Sequence, residues 1–303
     1  MWSKLHNFYS QVIEIPQAGG LYHILYVCSA IALTIFLLFA FQKANRKMVR
    51  GAMIFTWIFI FLNEIIFRQF VQIAKIKTLE GAIYDATFAP VQIISLFLWI
   101  LPLYFAIPVR KWEKVILPFI GISGLTIGGF VLVCPAFIFN KNIPNNTYYM
   151  MTAVFTFALS CYIILKGKLA INDWKTYTFQ LLFMSAIILI SILLNEIVYR
   201  DTSNANVLKG WNFAYISHRW EPLPYYNDFV TNGFIKDTNT NLGLFVALFV
   251  AGLIVFPIIP YASFYMLFRP FVKSIDDRIL SNNKTKEVSK TSCPVQKDSL
   301  TNN

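Results

Sequence analysis

Residues 51–73 read GAMIFTWIFIFLNEIIFRQFVQI. Taken as a helix, the run is long enough to cross a hydrocarbon core, which needs about 20 apolar residues. It holds two charged side chains, Glu64 and Arg68, four positions apart and therefore on one helical face. A charge at membrane depth costs about 2.5–3.5 kcal/mol on insertion scales, so a spanning helix turns it into a bundle and pairs it. The stretch implies both a membrane as solvent and neighbouring helices to enclose the pair.

Six further runs meet the same criterion: Gly20–Phe41, Phe88–Ile107, Val115–Phe139, Tyr148–Leu165, Tyr177–Tyr199 and Leu242–Phe268. Pro257 and Pro260 are expected to kink the last, with the freed carbonyls satisfied inside the bundle. The first run has no small-residue cleavage site at its end near Gln42 and is expected to stay as a helix. Of the 303 residues, 57% are hydrophobic and 14% charged, with a mean hydropathy of +0.57, too little charge to cover a soluble surface. The expected fold is an all-α, polytopic seven-helix bundle over 20–268, with a short interfacial segment over 1–19 and a basic tail over 269–303.

The formal charge of +11 does not point to nucleic acid, because the basic residues sit between apolar runs and form no groove-like patch. Lys43, Arg46, Lys47 and Arg50 follow the first run, Arg110, Lys111 and Lys114 the third, and Lys166, Lys168 and Lys175 the fifth. Lys4, Lys75, Lys77, Lys141, Arg200, Lys209, Arg219 and Lys236 fall on the other side, most of them in one long loop. The three short basic loops share a side, which predicts that side as cytoplasmic, with the N-terminus outside and the C-terminus inside. From about Ser274 the tail is rich in Asn, Lys, Ser and Thr and reads as disordered. The outer segment 201–241 instead holds Trp211, Phe213, Tyr215, Trp220, Tyr225, Tyr226, Phe229 and Phe234 beside Pro222 and Pro224. It reads either as a folded cap on the outer leaflet or as an aromatic interfacial belt.

The sixth run repeats the second. Asn63-Glu64-Ile65-Ile66-Phe67-Arg68 has its counterpart in Asn195-Glu196-Ile197-Val198-Tyr199-Arg200, and Gln72 extends the first stripe by a turn. The match suggests a 3+1+3 duplication. It also marks Asn63, Glu64, Arg68, Gln72, Asn195, Glu196 and Arg200 as an intramembrane polar cluster, with His23 at the outer end of the first helix as a further member. Such a cluster either binds a headgroup or ion, or neutralises itself and fixes helix packing. Arg200, near a helix end, can also snorkel. Cys28, Cys134, Cys161 and Cys293 have no zinc or disulfide spacing, and His6, His23 and His218 form no metal-binding pair, so no metal and no cofactor are expected. Gly124 and Gly128 form a small-xxx-small pair suited to close helix packing.

In the order of its motifs the chain resembles the YwaF-like bacterial integral membrane proteins, which are related to eukaryotic transmembrane phospholipid acyltransferases that use a cysteine. The resemblance covers most of the membrane region. It rests on His23, Arg46 and Arg50, Glu64, Ala89-Pro90-Val91-Gln92, Gly128-Gly129, Pro135, Asn195 and the Trp211–Pro224 stretch with Tyr215-Ile216-Ser217. It implies a multi-pass protein of the bacterial plasma membrane that handles lipid. The family's Leu-Pro-x-His/Gln-Leu-Cys frame places its cysteine where this chain has Ile94. The family's histidine is expected near Thr147-Tyr148-Tyr149-Met150, where there is none. A thiolate nucleophile needs such a base, so the departures imply that acyl transfer is lost. Ser95 is rotated by about 100° from the Ile94 position, with no base evident in the sequence, and Cys134 reads as a buried, inert thiol.

Three functions follow as expectations. The first is a non-catalytic or divergent lipid-handling protein that keeps the pocket the resemblance implies around Glu64, Arg68, Gln92 and Asn195, with membrane lipid or a small molecule as ligand. The second is a small-solute transporter of the 3+1+3 parallel-repeat plan, although Pro16-Gln17 has no partner in the fifth run to complete the signature of that class. The third is a membrane partner or signalling subunit acting through the basic tail, a tail that also suits anionic lipid.

Overall fold

The computed structural model describes residues 1–82, 84, 88–106, 110–201, 213–216 and 238–291. Among these there is no strand, only an isolated bridge between Val12 and Asn142. Trp211, His218, Arg219, Trp220, Pro222, Pro224, Tyr225, Tyr226, Phe229 and Phe234 of the aromatic segment lie outside the described residues. So do Ser217, Lys209, Lys236, Cys293 and the tail past Thr291.

A short helix α1 (Trp2–Tyr9) precedes α2 (Leu21–Ala40) and the long α3 (Arg46–Thr78), which contains a π-helical turn at Ile65–Gln69. Next come α4 (Ile93–Ala106), α5 (Trp112–Val133), α6 (Ile143–Leu165) and α7 (Trp174–Asp201). The last two are α8 (Thr238–Val255) and α9 (Ile258–Thr291), which together supply the span Val246–Asn282. Among the described residues, six spans are long and apolar enough to cross a membrane, and α4 is a further, shorter apolar helix. The protein is thus an all-helical, multi-pass membrane protein.

Side-chain caps set several boundaries. Asn45 caps α3, its Oδ1 accepting from the Met48 N–H at 2.9 Å, and Asn142 caps α6 through the Asn145 N–H at 3.2 Å. The Pro257 break separates α8 from α9, and the Pro257 carbonyl accepts from the Thr126 hydroxyl of α5 at 3.4 Å. The same carbonyl also accepts the Tyr261 N–H of α9 at 3.4 Å. The run Phe88–Ile107 forms a helix only from Ile93, because Pro90 lacks an N–H and the carbonyls before it are engaged elsewhere. Past Ser274, where composition predicts disorder, α9 continues to Thr291. Asp276 on this extension receives Lys166 at 2.8 Å, which ties it to the loop after α6.

Helix α6 is the centre of the bundle, buried nearly all round from Tyr148 to Leu165, whereas α2, α7 and α9 leave Ile, Leu and Phe side chains exposed to lipid. One end gathers the basic connections: Arg46 pairs with Glu113 at 2.5 Å and Arg50 donates to the Phe105 carbonyl. At the other end Tyr22 meets Thr147 at 3.2 Å, and Tyr9 of α1 packs against Val71 and Phe88.

Gly124 and Gly128 lie where α5 crosses α6. A Cβ on Gly128 would stand 2.9 Å from the Phe157 nitrogen and 3.0 Å from the Ala153 carbonyl oxygen, both backbone atoms. On neighbouring Gly129 it would meet only the Phe157 ring, at 3.5 Å. Ala at either position gains about 1 kcal/mol of helix propensity, but overpacking at Gly128 costs about 1–3 kcal/mol. Gly128→Ala is therefore expected to lower the thermal unfolding temperature in detergent, and Gly129→Ala to hold or raise it. Equal behaviour of the two would remove the close crossing from the account.

Candidate functional site

The polar centre is built around Arg68. In a regular α-helix a single face would carry Glu64, Arg68 and Gln72. The π turn at Ile65–Gln69 lengthens that repeat, so that positions four and five beyond Glu64 both approach it. Gln69 donates from Nε2 to Glu64 Oε1 at 2.7 Å, and Arg68 Nε stands 3.9 Å from the same oxygen. The second distance is too long for a hydrogen bond, so Glu64 holds Arg68 by charge.

The hydrogen bonds of the guanidinium go across the bundle. Nε donates to the Phe88 carbonyl at 3.1 Å, Nη2 to the Ala89 carbonyl at 3.3 Å and Nη1 to Gln92 Oε1 at 2.6 Å. The Tyr148 ring lies 4.6 Å from the guanidinium carbon, with Phe88 and Tyr149 at 5.5 and 5.8 Å, a distance range in which aromatic faces attract a cation. Arg68 is 1% exposed, among the most buried side chains described.

Tyr148, the residue that joins these contacts to α4 and α6, stands out in the sequence only as the start of an apolar run and as part of the Thr147–Met150 stretch where the resemblance expects a histidine. Its hydroxyl meets Ser95 Oγ at 2.6 Å, so the serine does have a polar partner. Its carbonyl accepts from Asn63 Nδ2 at 3.0 Å, and the same amide donates to Thr152 Oγ1 at 2.8 Å. Two acceptors at this centre, Glu64 Oε2 and Asn63 Oδ1, are buried without a hydrogen-bond partner among the described residues.

Not all the residues marked in the sequence converge here. Gln72 is buried one turn further along α3. Asn195 is buried on α7 and grips the turn Phe213–Tyr215, accepting from the Phe213 N–H at 2.8 Å and donating to its carbonyl at 3.2 Å. The next residue, Ala214, has a positive φ of 55° and donates its N–H to the Val91 carbonyl at 2.9 Å. Asn195 thus reaches the centre indirectly, through the chain beside Gln92. Glu196 is half-buried and Arg200 is exposed at the end of α7, so the second copy of the motif holds no buried cation like Arg68. His23 also stands apart. Its Nδ1 accepts from the Gly19 N–H at 2.9 Å and its Nε2 donates to the Leu132 carbonyl at 2.6 Å, fastening the start of α2 to the end of α5. No group of His, Cys, Asp and Glu suited to a metal ion occurs among the described residues.

Chemically, the centre offers a fixed cation, an aromatic wall and two open acceptors. Its rigidity depends on Gln92, which accepts from the guanidinium at 2.6 Å, closer than either the Phe88 or the Ala89 carbonyl. Gln92→Leu strands that N–H and is expected to cost about 1–3 kcal/mol. Gln92→Glu restores an acceptor and adds a counter-charge, and should keep most of the wild-type stability. Unfolding temperatures of the two purified variants check the order; a harmless Gln92→Leu would deny the residue this role.

The chain matches no family model, and comparisons with curated proteins and with solved structures return no match either.

Proposed function

We propose that the chain is a divergent, YwaF-like lipid-handling protein of the plasma membrane. In this reading it spans the membrane seven times, with α4 as the short third span, the N-terminus outside and the basic connections in the cytoplasm. It binds a phospholipid headgroup at the Arg68 centre and does no cysteine-dependent acyl transfer. The observation that carries the reading is the 2.6 Å contact between Ser95 and Tyr148 beside Arg68. The resemblance expects a thiol at Ile94 and an imidazole near Tyr148. The contact supports a shared site frame whose nucleophile and base have been replaced by a hydroxyl pair unsuited to thioester chemistry.

The open acceptors support a particular kind of ligand. Leaving Glu64 Oε2 and Asn63 Oδ1 unpaired costs about 1–3 kcal/mol each. A headgroup bearing an ammonium or hydroxyl supplies the missing donors, while its phosphate finds the Arg68 guanidinium. Phosphatidylethanolamine has such a donor, and phosphatidylcholine has none.

Removing both charges separates binding from folding. Breaking a buried pair from one side costs about 3–5 kcal/mol, whereas replacing both partners by apolar residues is often nearly neutral. Glu64→Leu combined with Arg68→Leu is therefore expected to insert and fold, yet to lose the extra thermal stabilisation that phosphatidylethanolamine gives the wild type over phosphatidylcholine. A double variant that keeps this increment in full would defeat the binding role.

Orientation has its own test. Single cysteines introduced for Lys47 and Lys168 are expected to be labelled from the cytoplasmic side, and one introduced for Lys141 from outside. Labelling of Lys47→Cys and Lys141→Cys from the same side would sink the proposed topology.

A further inference from the structure

A second site, remote from the Arg68 centre, is present at the end where the basic connections meet. A cavity of about 420 Å³ opens there between α3, α4, α5 and α7. Its charged lining comprises Arg46, Lys114, Lys168 and Lys175 against Glu113 and Asp173, four cations to two carboxylates. Glu113 is already paired with Arg46. Asp173 Oδ1 accepts the Lys175 backbone N–H at 3.1 Å, as a residue capping the start of α7 does. Lys114, Lys168 and Lys175 form no ion pair among the described residues, so three ammonium groups face one cavity with little counter-charge left for them.

The remaining wall is of a different kind. Val49, Leu117, Leu169 and Phe179 also line the cavity. Leu169 is held in place because it lies over Gly121, where a Cβ would meet its Cδ1 at 2.3 Å. Its loop is anchored on the far side as well: Lys166 pairs with Asp276, and Gly167, at φ +67°, sits under the Arg269 guanidinium. Cationic and apolar walls in one pocket at the end of a membrane bundle suit an amphiphile whose polar head is an anion.

We propose that this cavity binds the phosphate headgroup of an anionic phospholipid, with Lys114, Lys168 and Lys175 on the phosphate and the apolar wall against the first carbons of the acyl chains. Free inorganic phosphate shares the anion chemistry but makes no use of the apolar wall. The site is independent of the Arg68 centre in residues and in the ligand feature it reads, which is negative charge and not a hydrogen-bond donor.

The test uses the full chain in phosphatidylcholine nanodiscs with and without phosphatidic acid, and reads the unfolding temperature and the lipid retained in native mass spectrometry. Wild type is expected to gain stability with phosphatidic acid, less so as salt is raised, and to retain that lipid selectively. Each of Lys114→Gln, Lys168→Gln and Lys175→Gln should weaken the binding about fivefold, and the triple variant should abolish the gain. All three side chains are exposed, so the variants should fold. Lys77→Gln, outside this cavity, should change nothing. The proposal is overturned if the triple variant keeps the gain and the retained lipid, or if Lys77→Gln loses them equally. It is also overturned if inorganic phosphate alone reproduces the gain in phosphatidylcholine, which would make this a free-phosphate site. The Glu64→Leu, Arg68→Leu double variant should keep the phosphatidic acid gain, so failure at either centre shows up separately.

Discussion

The guanidinium of Arg68 does the work that helical hydrogen bonds would otherwise do for the chain before α4. Irregular backbone inside a membrane protein is tolerated only where its polar groups find partners within the protein. Pro90 interrupts helix formation here, so the Phe88 and Ala89 carbonyls are not taken up by a helix, and the second has a nearby backbone donor in the Val91 N–H at 2.8 Å. Arg68 takes both, together with Gln92 Oε1, using the planar fork that lysine lacks. The rest of the centre follows from this one commitment. With 88–92 pinned to α3, Ile93 can start α4, Ser95 faces the Tyr148 hydroxyl, and the Val91 carbonyl is presented to Ala214.

The π turn makes the commitment possible. A plain α-helix would set Glu64 and Arg68 side by side along one face, and the pair would tend to satisfy itself. The wider turn brings Gln69 onto Glu64 as its hydrogen-bonding partner and leaves Arg68 at 3.9 Å, close enough to feel the charge while its N–H groups point elsewhere. Among the described residues, Glu64 thereby keeps one buried oxygen without a hydrogen-bond partner. That is a poor arrangement for stability alone.

Much of the fold is legible in the sequence because the membrane sets so few rules. Apolar runs mark the helices, and Glu64 with Arg68 announces an interior face. What the sequence conceals is whatever depends on a local departure from the α-helix. Nothing in Ile65–Gln69 signals a π turn, so Gln69 looks like a boundary residue and Gln72 like the next member of the stripe. Tyr148 and Tyr149 resemble interfacial aromatics, since a tyrosine beside a distant arginine cannot be recognised without knowing that α3 and α6 touch. Composition also misjudges the chain after Ser274, where a polar segment is helical because it continues a spanning helix and Asp276 is held by Lys166.

The two copies of the hexapeptide show how far depth, more than residue identity, decides the role of an arginine. In α3 the chain continues as helix from Phe70 to Thr78 beyond the motif, so Arg68 is too far from the helix end to reach water and must be satisfied by protein. In α7 the described helix runs to Asp201, one residue past Arg200, and the Arg200 side chain is exposed. Asn195 of this copy holds the Phe213 turn, where Asn63 of the first holds the Tyr148 carbonyl and Thr152. That turn touches the chain beside Gln92 through Ala214. The second copy therefore serves the first from a distance: one motif supplies the cation, and the other positions the chain that receives it.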